Sequence, residues 1–96
     1  MLIVEISVVP VGTGDPSVSK YIRTALEIIK SSGLNYSINP MGTCVEGEWD
    51  EIFSTLKKIH DRLAAMGCQR LVTTIKIDDR RDRNQTMQDK VSRVSP

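Results

Sequence analysis

An α+β sandwich with elements in the order β-α-β-β-α-β is the fold this sequence predicts, and three observations predict it. Residues 2–9 and 70–77 are rich in β-branched side chains, which suit a pleated, half-buried surface. Two intervening stretches, from Val18 and from Asp50, repeat apolar residues at helical spacing. Pro10, Gly33, Pro40, Gly47 and Gly67 punctuate the junctions.

Each element follows in order. In Leu2 to Val9, the side chains Val4, Ile6 and Val8 form one continuous apolar face and Ile3, Glu5, Ser7 and Val9 a mixed one, as in a central strand with one buried side. After Pro10, the loop Val11 to Ser17 leads to a helix, with Asp15 predicted as its N-cap and Pro16 in its first turn. Val18, Ile22, Ala25 and Ile29, with Leu26 beside them, make the predicted buried stripe, and Gly33 the left-handed stop. Leu34, Tyr36 and Ile38 alternate with Asn35, Ser37 and Asn39, predicting a half-buried strand. Pro40-Met41-Gly42 turns the chain into a short returning strand over Thr43 to Glu46. Asp50 and Glu51 open a second helix at the positive end of its dipole. Ile52, Leu56, Ile59, Leu63 and Met66 carry its buried stripe, and Gly67 closes it. The strand from Arg70 to Ile77 completes a ferredoxin-like, split βαβ arrangement.

Ninety-six residues predict one domain spanning 1–96, with residues 84–96 as its tail. In that tail Thr86-Met87-Gln88-Asp89 has the form of a capping box with Asp in place of Glu. Met87, Val91 and Val94 share one helical face, so a short amphipathic helix is expected to pack on something apolar.

Composition excludes several function classes. Thirteen basic and twelve acidic residues leave a net charge of +1, which provides no electrostatic footprint for nucleic acid or an anionic membrane. The four aromatics, Tyr21, Tyr36, Trp49 and Phe53, are too scattered for a base-stacking platform. Cys44 and Cys68 lie far apart and the chain has one histidine, so no metal site is expected and the cysteines are read as reduced. The N-terminus enters a strand pattern directly, without a leader-like or membrane-length apolar run, and a cytoplasmic protein is expected.

Helices on one side of an antiparallel sheet leave the other side open. Glu5 and Ser7 of the first strand, Asn35, Ser37 and Asn39 of the second, and Thr74 and Lys76 of the last all oppose their strands' apolar sides. The first and last strands are neighbours in this topology, which brings Glu5 close to Lys76. For the third strand two registers stand open: either Thr43 with Val45 or Cys44 with Glu46 points to the open side. Ile3, Val9 and Val72 add apolar surface to the same face, which favours a covering subunit over a solvated surface.

Other candidates carry less. Gly12-Thr13-Gly14-Asp15-Pro16-Ser17 lacks the lysine and spacing of a phosphate loop, and Asp15 puts a negative charge where an anion would sit. His60 falls beside the second helix's apolar stripe, a packing or surface position. Asp78 to Arg83 alternates in sign, as in a solvated or intersubunit salt-bridge loop. No catalytic constellation is present.

Several motifs in one order carry a family resemblance. They are Pro10-Val11-Gly12-Thr13-Gly14 with Ser17-Val18-Ser19-Lys20-Tyr21, Pro40-Met41-Gly42-Thr43 with Glu46-Gly47, and Thr73-Thr74-Ile75-Lys76-Ile77-Asp78-Asp79-Arg80-Arg81-Asp82, together with the Thr86-Met87 and Lys90-Val91 tail. Across nearly the whole chain these resemble the small thiamine-binding, YkoF-like family. The resemblance implies a ferredoxin-like protomer that assembles through its sheets into a homotetramer, a dimer of dimers. It also implies a non-catalytic protein without cofactor that takes thiamine or its hydroxymethylpyrimidine part as ligand. Against the open face, Glu5 or Glu46 would complement the ligand's cationic thiazolium or its amino group, and Ser7, Thr43 and Thr74 would complete hydrogen bonds. Lys76 would pair with Glu5 or face a pyrimidine nitrogen. The rival readings are a small-metabolite enzyme using Glu5 or Glu46 as base, and a purely structural or regulatory assembly module.

Overall fold

The computed structural model describes all residues from Met1 to Pro96. Its elements are β1 (Leu2–Pro10), α1 (Ser19–Ser31), β2 (Asn35–Asn39), β3 (Gly42–Gly47), α2 (Trp49–Ala65), β4 (Leu71–Asp78) and α3 (Met87–Val94). The sheet order is β2-β3-β1-β4 with every neighbouring pair antiparallel, the ferredoxin-like arrangement that the element order predicts. No helix is long and apolar enough to cross a membrane.

The core lies between the sheet and the pair α1 and α2. β1 supplies Leu2, Val4 and Ile6, β3 supplies Val45, and α2 supplies Ile52, Leu56, Ile59 and Leu63. Alternation on β1 and the 3.6-residue period on α2 thus meet as predicted. Met66 is the exception, exposed at the α2 C-cap. There Gly67 adopts φ 99° and the chain closes a Schellman motif. Cys68 N–H donates to Leu63 O at 3.1 Å and Gly67 N–H to Ala64 O at 3.0 Å, which satisfies the last carbonyls of the helix.

Two expectations about the first half change. α1 begins at Ser19, and Val18 at its N-cap offers no side-chain bond. Asp15 is not the cap, because its Oδ1 accepts from Ser17 N–H at 2.9 Å inside a separate turn that Gly12 and Gly14, both at φ 78°, make accessible. The buried stripe of α1 is also rotated: Tyr21 and Ile29 are buried, whereas Ile22 is 45% exposed. The cause lies in β2, whose five residues are all exposed because the helices do not extend over this edge strand. Tyr36 and Ile38 point to the helix side but are left exposed, and Ile38 with Ile22 and Met41 lines an apolar cleft of about 290 Å³.

Candidate binding groove on the open sheet face

Register assigns every strand residue to a face. Ile3, Glu5, Ser7 and Val9 of β1 lie opposite Asp78, Lys76, Thr74 and Val72 of β4. On the other side Ile3 and Glu5 lie opposite Glu46 and Cys44 of β3, which in turn face Asn35 and Ser37 of β2. These residues form the open face, as alternation requires. The turn that joins β2 and β3 pairs Asn39 with Gly42, and this settles the third strand: Cys44 and Glu46 point to the open side.

Thr43 is therefore corrected out of the open-face set. It pairs with Ile6 and Ile38 on the helix side, because adjacent strand residues cannot share a face with one another and Glu46 has taken the other.

The C-terminal helix packs onto one end of this face. The capping box forms as predicted: Asp89 N–H donates to Thr86 Oγ1 at 3.0 Å and Thr86 N–H to Asp89 Oδ2 at 3.1 Å. Beneath it Glu46 is buried, with Oε2 accepting from Met87 N–H at 2.8 Å and Oε1 from Asn35 Nδ2 at 3.1 Å. Further along, Lys90 Nζ pairs with Asp78.

Between α3 and the sheet lies a groove of about 570 Å³. Its floor carries Ile3, Glu5, Ser37, Asn39, Cys44 and Lys76, and its wall Asp78, Met87, Lys90 and Val91. Glu5 and Lys76 are directly opposed, yet neither takes part in any of the chain's ion pairs. A carboxylate and an ammonium, neither held in an ion pair, thus stand on directly opposed positions. Cys44 Sγ lies 4.0 Å from Glu5 Oε2 and accepts from Asn39 Nδ2 at 3.5 Å. Burial pushes the Cys44 thiol's pKa up, the Glu5 charge adds to the rise, and the Asn39 bond opposes it.

Of the residues singled out from sequence, Glu5 and Lys76 line the groove together. Ser7 and Thr74 are paired on the same face but beyond the groove, on a bare half where Val9 and Val72 are each 46% exposed. Glu46 lies under α3 with both oxygens engaged. Sequence reasoning placed Ser37 and Asn39 on this face without choosing them. Cys44 stood there as one of two alternatives for the open face and was not chosen as a site residue, and the wall from α3 was not foreseen. The parity of Cys44 with Glu5 is a signal for the first, but only the folded position of α3 identifies the second.

The other candidates are accounted for locally. His60 Nε2 lies 2.7 Å from Thr73 Oγ1 on the helix side. The Thr13–Asp15–Ser17 turn is satisfied within itself and is separate from the start of α1. Arg80 bonds both oxygens of Asp82 and, through its third nitrogen, the Oε1 of buried Gln85. Arg81 pairs with Asp79.

Comparison with known proteins follows the same architecture. The family model described as thiamine-binding protein matches residues 4–95. A UPF0045 protein from Staphylococcus xylosus is 43% identical over 98% of this chain and 92% of its own length. Among solved structures, a hypothetical protein from Methanocaldococcus jannaschii superposes with a TM-score of 0.89 at 35% identity, covering 97% of this chain and 94% of that one. A protein from Thermotoga maritima, named as a candidate thiamine biosynthesis/salvage protein, superposes with a TM-score of 0.82 at 33% identity over 98% of both chains.

Proposed function

Because this chain belongs to the thiamine-binding protein family, we propose that it binds thiamine, or the hydroxymethylpyrimidine part of it, in the groove between α3 and the open sheet face. The observation that carries this reading is the Glu5 carboxylate on the groove floor, which is held in no ion pair of the chain. A cationic thiazolium complements that charge. Ser37 and Asn39 offer the donors and acceptors that an aminopyrimidine edge needs. A volume of about 570 Å³ falls within the range of roughly 300–1,000 Å³ typical of small-molecule sites. The Thermotoga maritima relative's name supports the same ligand class.

The reading is of binding without turnover. Glu46, one of the two carboxylates that the sequence offers as candidate bases, has both oxygens occupied by neutral donors. Glu5 is exposed, without the dry surroundings that tune a carboxylate for proton transfer. Ser7, Thr74, Val9 and Val72 form the bare half of the face, and we assign them to contact with a second copy in a homotetramer. A cytoplasmic setting belongs to the same proposal, supported by two unbridged cysteines.

Isothermal calorimetry with thiamine and with hydroxymethylpyrimidine tests the binding. Saturable heat with either ligand is the expected result. No heat and no thermal shift at millimolar ligand would sink the proposal and leave an assembly module. Light scattering tests the oligomer, where a stable monomer would count against a covered face. Mass spectrometry of thiamine and its precursors after incubation separates a binder, which leaves them intact, from an enzyme.

A further inference from the structure

The way α3 is held to the sheet has a consequence for the groove it walls. α3 has no buried residue, and Val91 and Val94 are 60% and 81% exposed. Two polar attachments fix it: Glu46 at its first residue and Asp78 at Lys90. Glu46 is 8% exposed, has no cation beside it, and is satisfied by Asn35 Nδ2 and Met87 N–H alone. A buried carboxylate is tolerated only when its oxygens are bonded, and here one bond comes from the positive end of a helix. The preceding loop is fastened as far as Gln85, which is buried and bonded to Arg80.

We propose that α3 is a strap across the binding groove, that it opens as a unit from Thr86 onward, and that Glu46 is the positioning residue that clasps it shut. Opening breaks the Glu46–Met87 and Lys90–Asp78 bonds and removes the groove wall formed by Met87, Lys90 and Val91. A ligand seated against that wall stabilises the closed strap. This last step rests on the groove being the ligand site; the clasp itself does not.

Replacement of Met87 isolates the clasp. Met87 is the first helical residue and Thr86 before it is extended, at φ −91° and ψ 164°. Proline is therefore compatible with the backbone and removes, besides the side chain, the N–H that donates to Glu46. Met87→Ala removes the side chain and keeps that N–H. In ligand-free protein, amide exchange over residues 88–94 is expected to be at least about tenfold faster in Met87→Pro than in Met87→Ala, with β1 amides unchanged. Glu46→Ala is expected to match it, and the two changes together to add nothing further. Equal exchange in the proline and alanine variants would overturn the clasp, as would full additivity with Glu46→Ala. Saturating thiamine is expected to slow exchange of α3 several-fold in the unaltered protein. Calorimetric binding without that protection would overturn the strap. If calorimetry shows no thiamine binding, the functional reading fails and the clasp is still judged by the ligand-free exchange.

Discussion

Lys76→Gln should tighten thiamine binding, and Glu5→Gln should weaken it. The two side chains project from directly opposed positions on β4 and β1, and no ion pair ties them together. A cation held by Glu5 therefore also feels the Lys76 ammonium. At about 7 Å, Coulomb's law gives roughly 0.6 kcal/mol of repulsion in water and roughly 2.4 kcal/mol at an effective dielectric of about 20. Lys76 is exposed, so the lower part of that interval applies, and its removal should lower Kd by about 3- to 10-fold. Glu5→Gln should raise Kd by a similar factor. Calorimetry at low salt measures both, and repeating it at about 1 M salt, where the Debye length is about 3 Å, should shrink both effects towards zero. Thermal unfolding provides the control: with no ion pair to lose, Lys76→Gln should change stability by no more than about 0.5 kcal/mol. Weaker binding of Lys76→Gln at low salt would refute the reasoning, because the ammonium would then be contacting the ligand. Shifts that persist undiminished in high salt would show that the effect is not Coulombic.

The Cys44 thiol should react more slowly with a disulfide reagent at mildly alkaline pH than an unhindered cysteine, because its pKa is raised by burial and then by Glu5. Glu5→Gln should accelerate it, and an unchanged pH–rate profile would remove Glu5 as a cause. A raised thiol pKa also means that the folded state holds its proton longer than the unfolded one. The associated stability is present in full below the ordinary value of 9.0 and is lost as pH rises through the folded value. In the core, Leu63 is 1% exposed and closes the α2 C-terminus. Leu63→Ala should cost about 2–5 kcal/mol, read by calorimetry as a Tm lower by roughly 10–30 °C. Ile22→Ser, at a 45% exposed site, should move Tm little; the reverse ranking would contradict the rotated stripe of α1.

What was legible in the sequence was set by short-range patterns. Alternation in β1 and β4 is enough to put Glu5 and Lys76 on one face of neighbouring strands once the strand order is known, and the register then sets them opposite each other. The capping box at Thr86 is local, and it formed as written. The third strand was different, because a change of one residue in the Pro40–Met41 turn exchanges Thr43 for Cys44 on the open face. The start of α1 was hidden because Asp15 and Pro16 make as good a turn as a cap, and the glycines around them decide between the two. Ile22 and Glu46 were beyond reach for a tertiary reason. Exposure of the first depends on an edge strand that the helices do not cover, and burial of the second on a helix some forty residues away along the chain.

The strand order also governs when the molecule can become complete. β1 precedes the other strands in chain order and lies inside the sheet, but one of its two neighbours is β4, which follows them all. Eight residue pairs join them, and most of the chain lies between. Closing so long a loop costs entropy before any pairing repays it. Until β4 pairs, Val4 and Ile6 of β1 border a vacant strand position with unpaired backbone groups, a template for pairing with other chains. The β1–β4 pairing is therefore the most non-local of the sheet, and shortening β4 would leave one side of β1 as an open edge.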